Sequence, residues 1–352
     1  MNHRILVKVL ESYGINYQLV DWIENFLSNR SQQVCINSSV SSSLSVLSGV
    51  PQGSVIGPFI FLLFFDNITK CTLPDVNMQL FADDSKVYSN TPLSLQLTIN
   101  NMDSWLSDRQ LLLAPQKCTI LKIRKPAVLD TSEFFIQNHL LTENFSVKDL
   151  GVTISQDLKW STHIDNICHS ASVTSYQLRK VIRSRNIWTW IKLFATYIRP
   201  KVEYCTPVWS PYLVKDIDKV ENVQRRYTKV AFQKCSIPFL SYEDRFNKVG
   251  LLKLRERRTY FDMVLLYKIF YGISDIPFND YFSFIPSKYS LRSHSCKILC
   301  KQKFSSLQGQ NSFFSRSPLV WNKLPENIVT AKTLNLFKVL LMQHLKPLSH
   351  ES

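Results

Sequence analysis

Apolar residues recur at helical spacing from the start of the chain. Ile5, Val9 and Tyr13, then Leu19, Ile23 and Phe26, predict amphipathic helices over residues 4–13 and 17–28. Gln33 to Asn37 reads as a short strand, and the serine-rich run Ser38 to Ser45, followed by Ser48-Gly49, as a loop or hairpin. From Ser54 to Asp66 almost every position is apolar. Ser54 as N-cap and Pro58 in the first turns predict a helix buried on all sides. Gln79 to Ala82 and Ser85 to Ser89 read as two strands of a hairpin with Asp83-Asp84 at its turn. A helix over 94–112 follows, carried by Leu95, Ile99, Met102 and Leu106. Short strands are expected at Thr119 to Ile123, Glu133 to Ile136 and Leu150 to Ile154.

Past Gln156 the pattern becomes helical. Ile164, Ile167, Ala171, Leu178 and Ile182 mark one helix, ending among Arg179, Lys180, Arg183 and Arg185. Further helices are expected from Trp188 to Ile198, stopping at Arg199-Pro200, and from Lys215 to Phe232 on Val220, Val223, Tyr227 and Val230. An α+β module, a small antiparallel sheet with helices, is therefore expected up to a boundary at 156–161, with a mainly helical module after it.

Composition adds a polarity to this division. The 352 residues, 45% hydrophobic and 20% charged, are those of a globular chain with room for two or three domains. Residues 1–160 carry 12 Lys and Arg against 14 Asp and Glu, whereas residues 161–352 carry 30 against 13. A strongly basic second half suits a polyanion. An anionic membrane surface satisfies the same electrostatics, so charge alone does not choose. No run is long and apolar enough to span a bilayer, Phe59 to Phe65 being far too short. No GxGxxG or GxxxxGK[ST] occurs, against dinucleotide enzymes and P-loop ATPases. Eight scattered cysteines without CxxC or a secretory signal predict reduced thiols and an intracellular protein of nucleus or cytoplasm. His294, Cys296 and Cys300 offer only three of the four ligands that structural zinc takes.

Candidate chemistry falls at two places. Adjacent acids in a turn are usually solvated turn residues. Asp83-Asp84, however, sit between Phe81-Ala82 and Val87-Tyr88, strand residues that would present both carboxylates rigidly. Mg²⁺ is bound by one or two carboxylates plus substrate phosphates. Upstream, Gly49-Val50-Pro51-Gln52-Gly53-Ser54 leads into the apolar helix. Its glycines let backbone approach a ligand, Gln52 offers an amide, and a helix N-terminus suits phosphate. A loop with a helix cap reads the same hexapeptide equally well.

The string GVPQGSVIGPFIFLLFFDNI, residues 49–68, followed by QLFADDSKVY, residues 79–88, closely resembles the palm of reverse transcriptases from non-LTR, LINE-type and jockey-like retrotransposons. Leu112 to Thr119 resembles the later palm motif, and Val147 to Val152 the strand that grips the primer end. The basic helices after His163 resemble the thumb. Tyr197 to Pro200, Glu203 to Cys205, Trp209 to Pro211 and Trp321 to Pro325 resemble the segments beyond it.

The resemblance implies a partial palm over 1–158, a basic helical thumb over 159–235, and a helical and irregular C-terminal region of retrotransposon type over 236–352. It implies RNA-directed DNA polymerisation by two-metal nucleotidyl transfer, with an RNA template, a DNA primer and deoxynucleoside triphosphates as partners and no membrane. Asp83 and Asp84 would hold Mg²⁺ or Mn²⁺ as the catalytic pair, with Lys117 as general acid. Pro51, Gln52 and Gly53 would line the incoming nucleotide, and Leu150 and Gly151 would grip the primer. Family members carry a further metal-binding aspartate on an earlier palm strand, ahead of a segment resembling Asn2 to Leu6. That strand has no counterpart in these residues, so impaired polymerisation is expected of them alone. The alternative is a non-catalytic nucleic-acid-binding remnant of the same scaffold.

Overall fold

Hydrogen bonding in the computed structural model is dominated by helices, with strands confined to short ladders. The structure describes residues 1–123, 131–285 and 298–346, and the segment with His294 and Cys296 lies outside them. The chain divides into two compact units, Met1–Lys122 with Pro126–Asn144, and Ile123–Lys125 with Phe145–Ser352.

In the first unit, α1 (His3–Ser12) is capped by Asn2, whose side chain accepts from Arg4 and Ile5 amides, and α2 (Tyr17–Leu27) by Asn16. Their apolar stripes, Leu6, Val9 and Leu10 with Val20, Ile23 and Leu27, close on Ile60 and Phe64 of α3 (Gly57–Phe65). That helix departs from expectation twice. It begins at Gly57, because Ser54 is used in a turn ahead of it. It is also buried on one face only: Ile60, Phe64 and Phe65 are covered, whereas Phe59 and Leu62 are 60% and 57% exposed. A helix apolar all round needs neighbours on every side. Among the described residues of this unit, α1, α2 and the later helix over Pro92–Asp108 cover one side.

The hairpin β1 (Asn77–Phe81) and β2 (Asp84–Tyr88) follows, then α4 (Pro92–Asp108). Met78, Leu80 and Val87 point to one hairpin face and pack with Phe65, Ile68, Met102 and Leu106. The single antiparallel sheet expected for this part is not assembled. Among the described residues no third strand joins either edge of this hairpin, and every sheet has two strands. One of them is parallel, Thr119–Ile120 with Thr142–Glu143.

The second unit opens with the hairpin β3 (Ser146–Asp149) and β4 (Val152–Ser155). Helices α5 (Ser161–Val181), α6 (Ile187–Leu193) and α7 (Val214–Lys234) surround Trp190, Phe194, Ile198, Trp209, Val220 and Tyr227. From α6 the chain runs straight into a π-helical turn, Phe194–Ile198. A second cluster gathers Leu266 and Tyr267 of α8 (Leu254–Phe270) with Trp321, Phe337 and Leu341. Asp262 on α8 accepts from Nε and Nη2 of Arg316 at 2.8 and 2.9 Å, and Arg316 Nη2 also donates to the Pro207 carbonyl at 2.7 Å. Such a fork satisfies a buried carboxylate that would otherwise cost several kcal/mol, roughly 3–5 on breaking the pair.

Candidate functional site

The acidic turn is built from four residues. Phe81 pairs with Asp84, leaving Ala82 and Asp83 as the two turn residues. The expected turn, Asp83-Asp84, is therefore shifted by one: Asp84 is already the first residue of β2. The reason lies in the alternation of β1 and β2. Met78, Leu80 and Val87 share the face turned to the core, and the register that pairs Met78 with Val87 places Asp84 across from Phe81. Ala82 takes φ +53°, a left-handed conformation that costs an L-residue roughly 1–2 kcal/mol. Both carboxylates are exposed, and Asp84 shares the open face with Phe81, which is 64% exposed.

The glycine-bordered loop is a second rigid device. The Ser54 amide donates to the Pro51 carbonyl at 3.2 Å, and Gly53 has φ +83°, as the third position of a type II turn requires. Ser54 Oγ donates to the same carbonyl at 2.8 Å and accepts from the Gly57 amide at 3.1 Å, tying turn to helix. Gly49 is fixed to the start of the chain: its amide donates to the Met1 carbonyl at 2.8 Å, and His3 Nε2 lies 2.8 Å from its oxygen. Gln52 and Gly53 project outward, with open space around Gly53. Lys117 ends a 3₁₀ turn, Pro115–Lys117, just before the parallel ladder, and is exposed.

Leu150 and Gly151, expected at the start of a strand, form instead the two-residue turn of the β3–β4 hairpin, with φ +44° and +86°. Positive φ at both positions is the twist-matched hairpin turn. The Tyr204 hydroxyl donates to the Leu150 carbonyl at 2.9 Å, and its ring lies over Gly151. On the far strand, the Thr153 amide donates to Nδ1 of His163, the buried histidine of α5, at 3.1 Å. Burial and then the nearby charge of Lys148 push the His163 pKa down to about 4, keeping the imidazole neutral and able to accept. Sequence reading gave no role to Tyr204 or His163. The Leu-Gly dipeptide between alternating runs was the available signal for the turn, and nothing local marks the histidine as buried.

Two exposed carboxylates, one on the turn and the next on the first residue of β2, suit a hard cation that keeps waters and bridges to phosphates. Among the described residues no three His, Cys, Asp or Glu side chains converge as a metal site. Among the same residues no helix is long and apolar enough to cross a membrane.

Residues 1–154, containing both the Pro51–Ser54 turn and the acidic hairpin, match the family model described as reverse transcriptase (RNA-dependent DNA polymerase). The chain is 23% identical over 226 residues to the RNA-directed DNA polymerase from mobile element jockey of Drosophila melanogaster, covering 59% of this chain and 24% of the relative. The jockey polymerase of Drosophila funebris is 22% identical, over 59% of this chain and 24% of its own length. The probable RNA-directed DNA polymerase from transposon BS of Drosophila melanogaster is 23% identical, over 58% and 24%. The chain thus spans about a quarter of the length of these relatives. Residues 1–154 thus match the reverse transcriptase family model, and the chain is related to the RNA-directed DNA polymerases of jockey-like non-LTR retrotransposons.

Proposed function

We propose that this chain is the palm and thumb part of an RNA-directed DNA polymerase, with Asp83 and Asp84 as two carboxylates of its metal centre. The observation that carries this reading is the strained two-residue turn that presents adjacent carboxylates inside the segment matching the family. Strain held at a tip is stored where position matters. Asp83 and Asp84 would hold Mg²⁺ or Mn²⁺, which when bound helps activate a primer 3′-hydroxyl and stabilise departing pyrophosphate. Pro51, Gln52 and Gly53 line the triphosphate side, the outward Gln52 amide meeting a sugar or base edge. Lys117 donates a proton to the leaving pyrophosphate. Leu150 and Gly151, clasped by Tyr204, hold the primer end.

In domain terms, residues 1–158 act as the palm, 159–235 as the thumb, and 236–352 as a C-terminal support. A template-primer would be held largely through its phosphates by the basic residues after 160, so binding weakens steeply with salt. Two carboxylates are fewer than a two-ion centre generally uses, and these residues alone therefore extend primers slowly.

The second reading, a non-catalytic nucleic-acid-binding scaffold, is favoured by the lack of a third acid beside the pair among the described residues. Nucleotide incorporation on an RNA template–DNA primer with Mg²⁺ separates the two. Slow, metal-dependent extension supports the polymerase, whereas salt-sensitive binding with no extension supports the scaffold.

A further inference from the structure

The outer side of α6 carries a feature that polymer synthesis as described above does not use. Asn186, Trp188, Thr189, Lys192, Leu193, Thr196 and Tyr197 line an open cavity of about 300 Å³. The two tryptophans of this helix have opposite fates. Trp190 is fully buried, with its indole N–H donating to the Ser184 carbonyl at 2.9 Å. Trp188 stands 55% exposed and Tyr197 53% exposed. Trp188, Lys192 and Thr196 follow one another at intervals of four, so indole, ammonium and hydroxyl share one helical stripe.

The π-helical turn Phe194–Ile198 fixes the rest. Phe194 and Ile198 are buried by it, and Tyr197 is turned outward into the cavity wall. Such turns are rare and concentrate at functional sites. Two exposed aromatic rings and a cation line this one cavity, a combination that suits a planar, anionic occupant.

Charge selects the occupant. Residues 166–202 contain seven Lys and Arg and no Asp or Glu, and Arg183 and Arg185 lead directly into the cavity residue Asn186. A nucleotide joins a planar base, which stacks on aromatic rings, to a phosphate, which pairs with a cation. An unpaired base can stack on a ring that a base held inside a duplex cannot reach. We infer that Trp188, Lys192 and Tyr197 form a binding site for unpaired nucleotides of a single-stranded nucleic acid, the rings stacking on bases and Lys192 meeting a phosphate. This rests on the polynucleotide-handling reading above and adds to it a station for strand outside the duplex.

Binding of a short fluorescein-labelled oligothymidylate to the whole chain, followed by anisotropy across a salt series, tests the site. The assay contains no triphosphate and no divalent ion, so its result is independent of whether Asp83 and Asp84 support synthesis. Trp188→Ala is expected to weaken oligothymidylate binding roughly fivefold to a hundredfold, as expected for the loss of one base–aromatic stack. Trp188→Phe restores most of it, and Tyr197→Ala weakens it in the same sense. Lys192→Gln lowers the slope of log affinity against log salt by about 0.7. Blunt duplex DNA binds Trp188→Ala, Trp188→Phe and Tyr197→Ala as it binds the parent. Unchanged oligothymidylate binding in both Trp188→Ala and Tyr197→Ala overturns the inference, as does an equal loss for duplex and single strand. It is likewise overturned if Trp188→Ala abolishes binding to phosphatidylserine vesicles and leaves oligothymidylate binding intact, since the site would then face a membrane.

Discussion

The Tyr204 hydroxyl donates to the carbonyl of Leu150 at 2.9 Å, joining a residue that follows a 3₁₀ turn to the tip of a hairpin 54 positions earlier. The same ring closes the space above Gly151, where an added Cβ would lie 3.2 Å from Tyr204 Cε1. The tip is thus defined by one hydrogen bond and one steric stop. Tyr204→Phe removes the bond and keeps the stop, and should cost about 0.5–1.5 kcal/mol in denaturant unfolding. Gly151→Ala meets both the stop and φ +86°, and should cost more, about 1–3 kcal/mol. In Tyr204→Ala the stop is gone, so Gly151→Ala should cost less there than in the parent. Equal costs in the two backgrounds would show that the ring does not confine the tip.

The His163 ring supports the same hairpin from the other strand, and this support depends on pH. The unfolded chain takes up a proton near the ordinary histidine value of 6.5, which the folded chain refuses until about 4. Stability from this group is therefore complete above pH 6.5 and is lost as pH falls towards 4, by roughly 1.4 kcal/mol per pH unit within that window. Protonation of Nδ1 also removes the acceptor for the Thr153 amide. In His163→Gln, urea midpoints measured across that range should lose this part of the acid slope. An unchanged slope would mean that the ring is not held neutral.

Gly57 is where the Pro51–Ser54 turn touches the helix that follows it. A Cβ there would lie 2.7 Å from Ser54 Oγ and 3.2 Å from the Pro51 carbonyl oxygen. Gly57→Ala should push the turn aside and raise the KM for deoxynucleoside triphosphate severalfold, with a smaller change in stability. Ser54→Ala removes the nearer obstacle, so the double variant should recover part of the loss. A double variant as poor as Gly57→Ala alone would place the damage elsewhere.

Ala82 pays for its left-handed backbone with strain that glycine would not carry. Ala82→Gly should leave global stability unchanged or raise it by up to about 1 kcal/mol, since relief of strain offsets the extra freedom of the unfolded chain. It should also loosen the aim of Asp83 and Asp84 and slow nucleotide incorporation. Faster incorporation would show that the strain has no part in positioning them.

How far the sequence led depends on the kind of interaction. Spacing located α1 and α2, but the buried stripe is Leu6, Val9 and Leu10 with Val20, Ile23 and Leu27, sharing only Val9 and Ile23 with the stripe read from the sequence, whose Tyr13 and Leu19 are exposed. The acidic hairpin was legible to within one residue. Its turn position depends on which of Met78 and Gln79 faces inward, and the packing of Met78 with Phe65 decides that. Residues 54–56 looked helical because hydrophobicity alone does not show that Ser54 is needed to hold Pro51. The contacts of His163 and Tyr204 are between residues ten and 54 positions apart, beyond any local pattern. Trp188 and Trp190 look alike in sequence, and only the fold separates the buried one from the exposed one.

Asp83 and Asp84 are proposed above as the working end of a nucleotidyl transfer centre. Primer extension on an RNA template with Mg²⁺, run on the parent chain and on Asp83→Asn side by side, tests it most directly. Slow, Mg²⁺-dependent incorporation by the parent and none by Asp83→Asn is expected, with template-primer binding equal in the two. Incorporation that survives Asp83→Asn, or none by either chain, would contradict it.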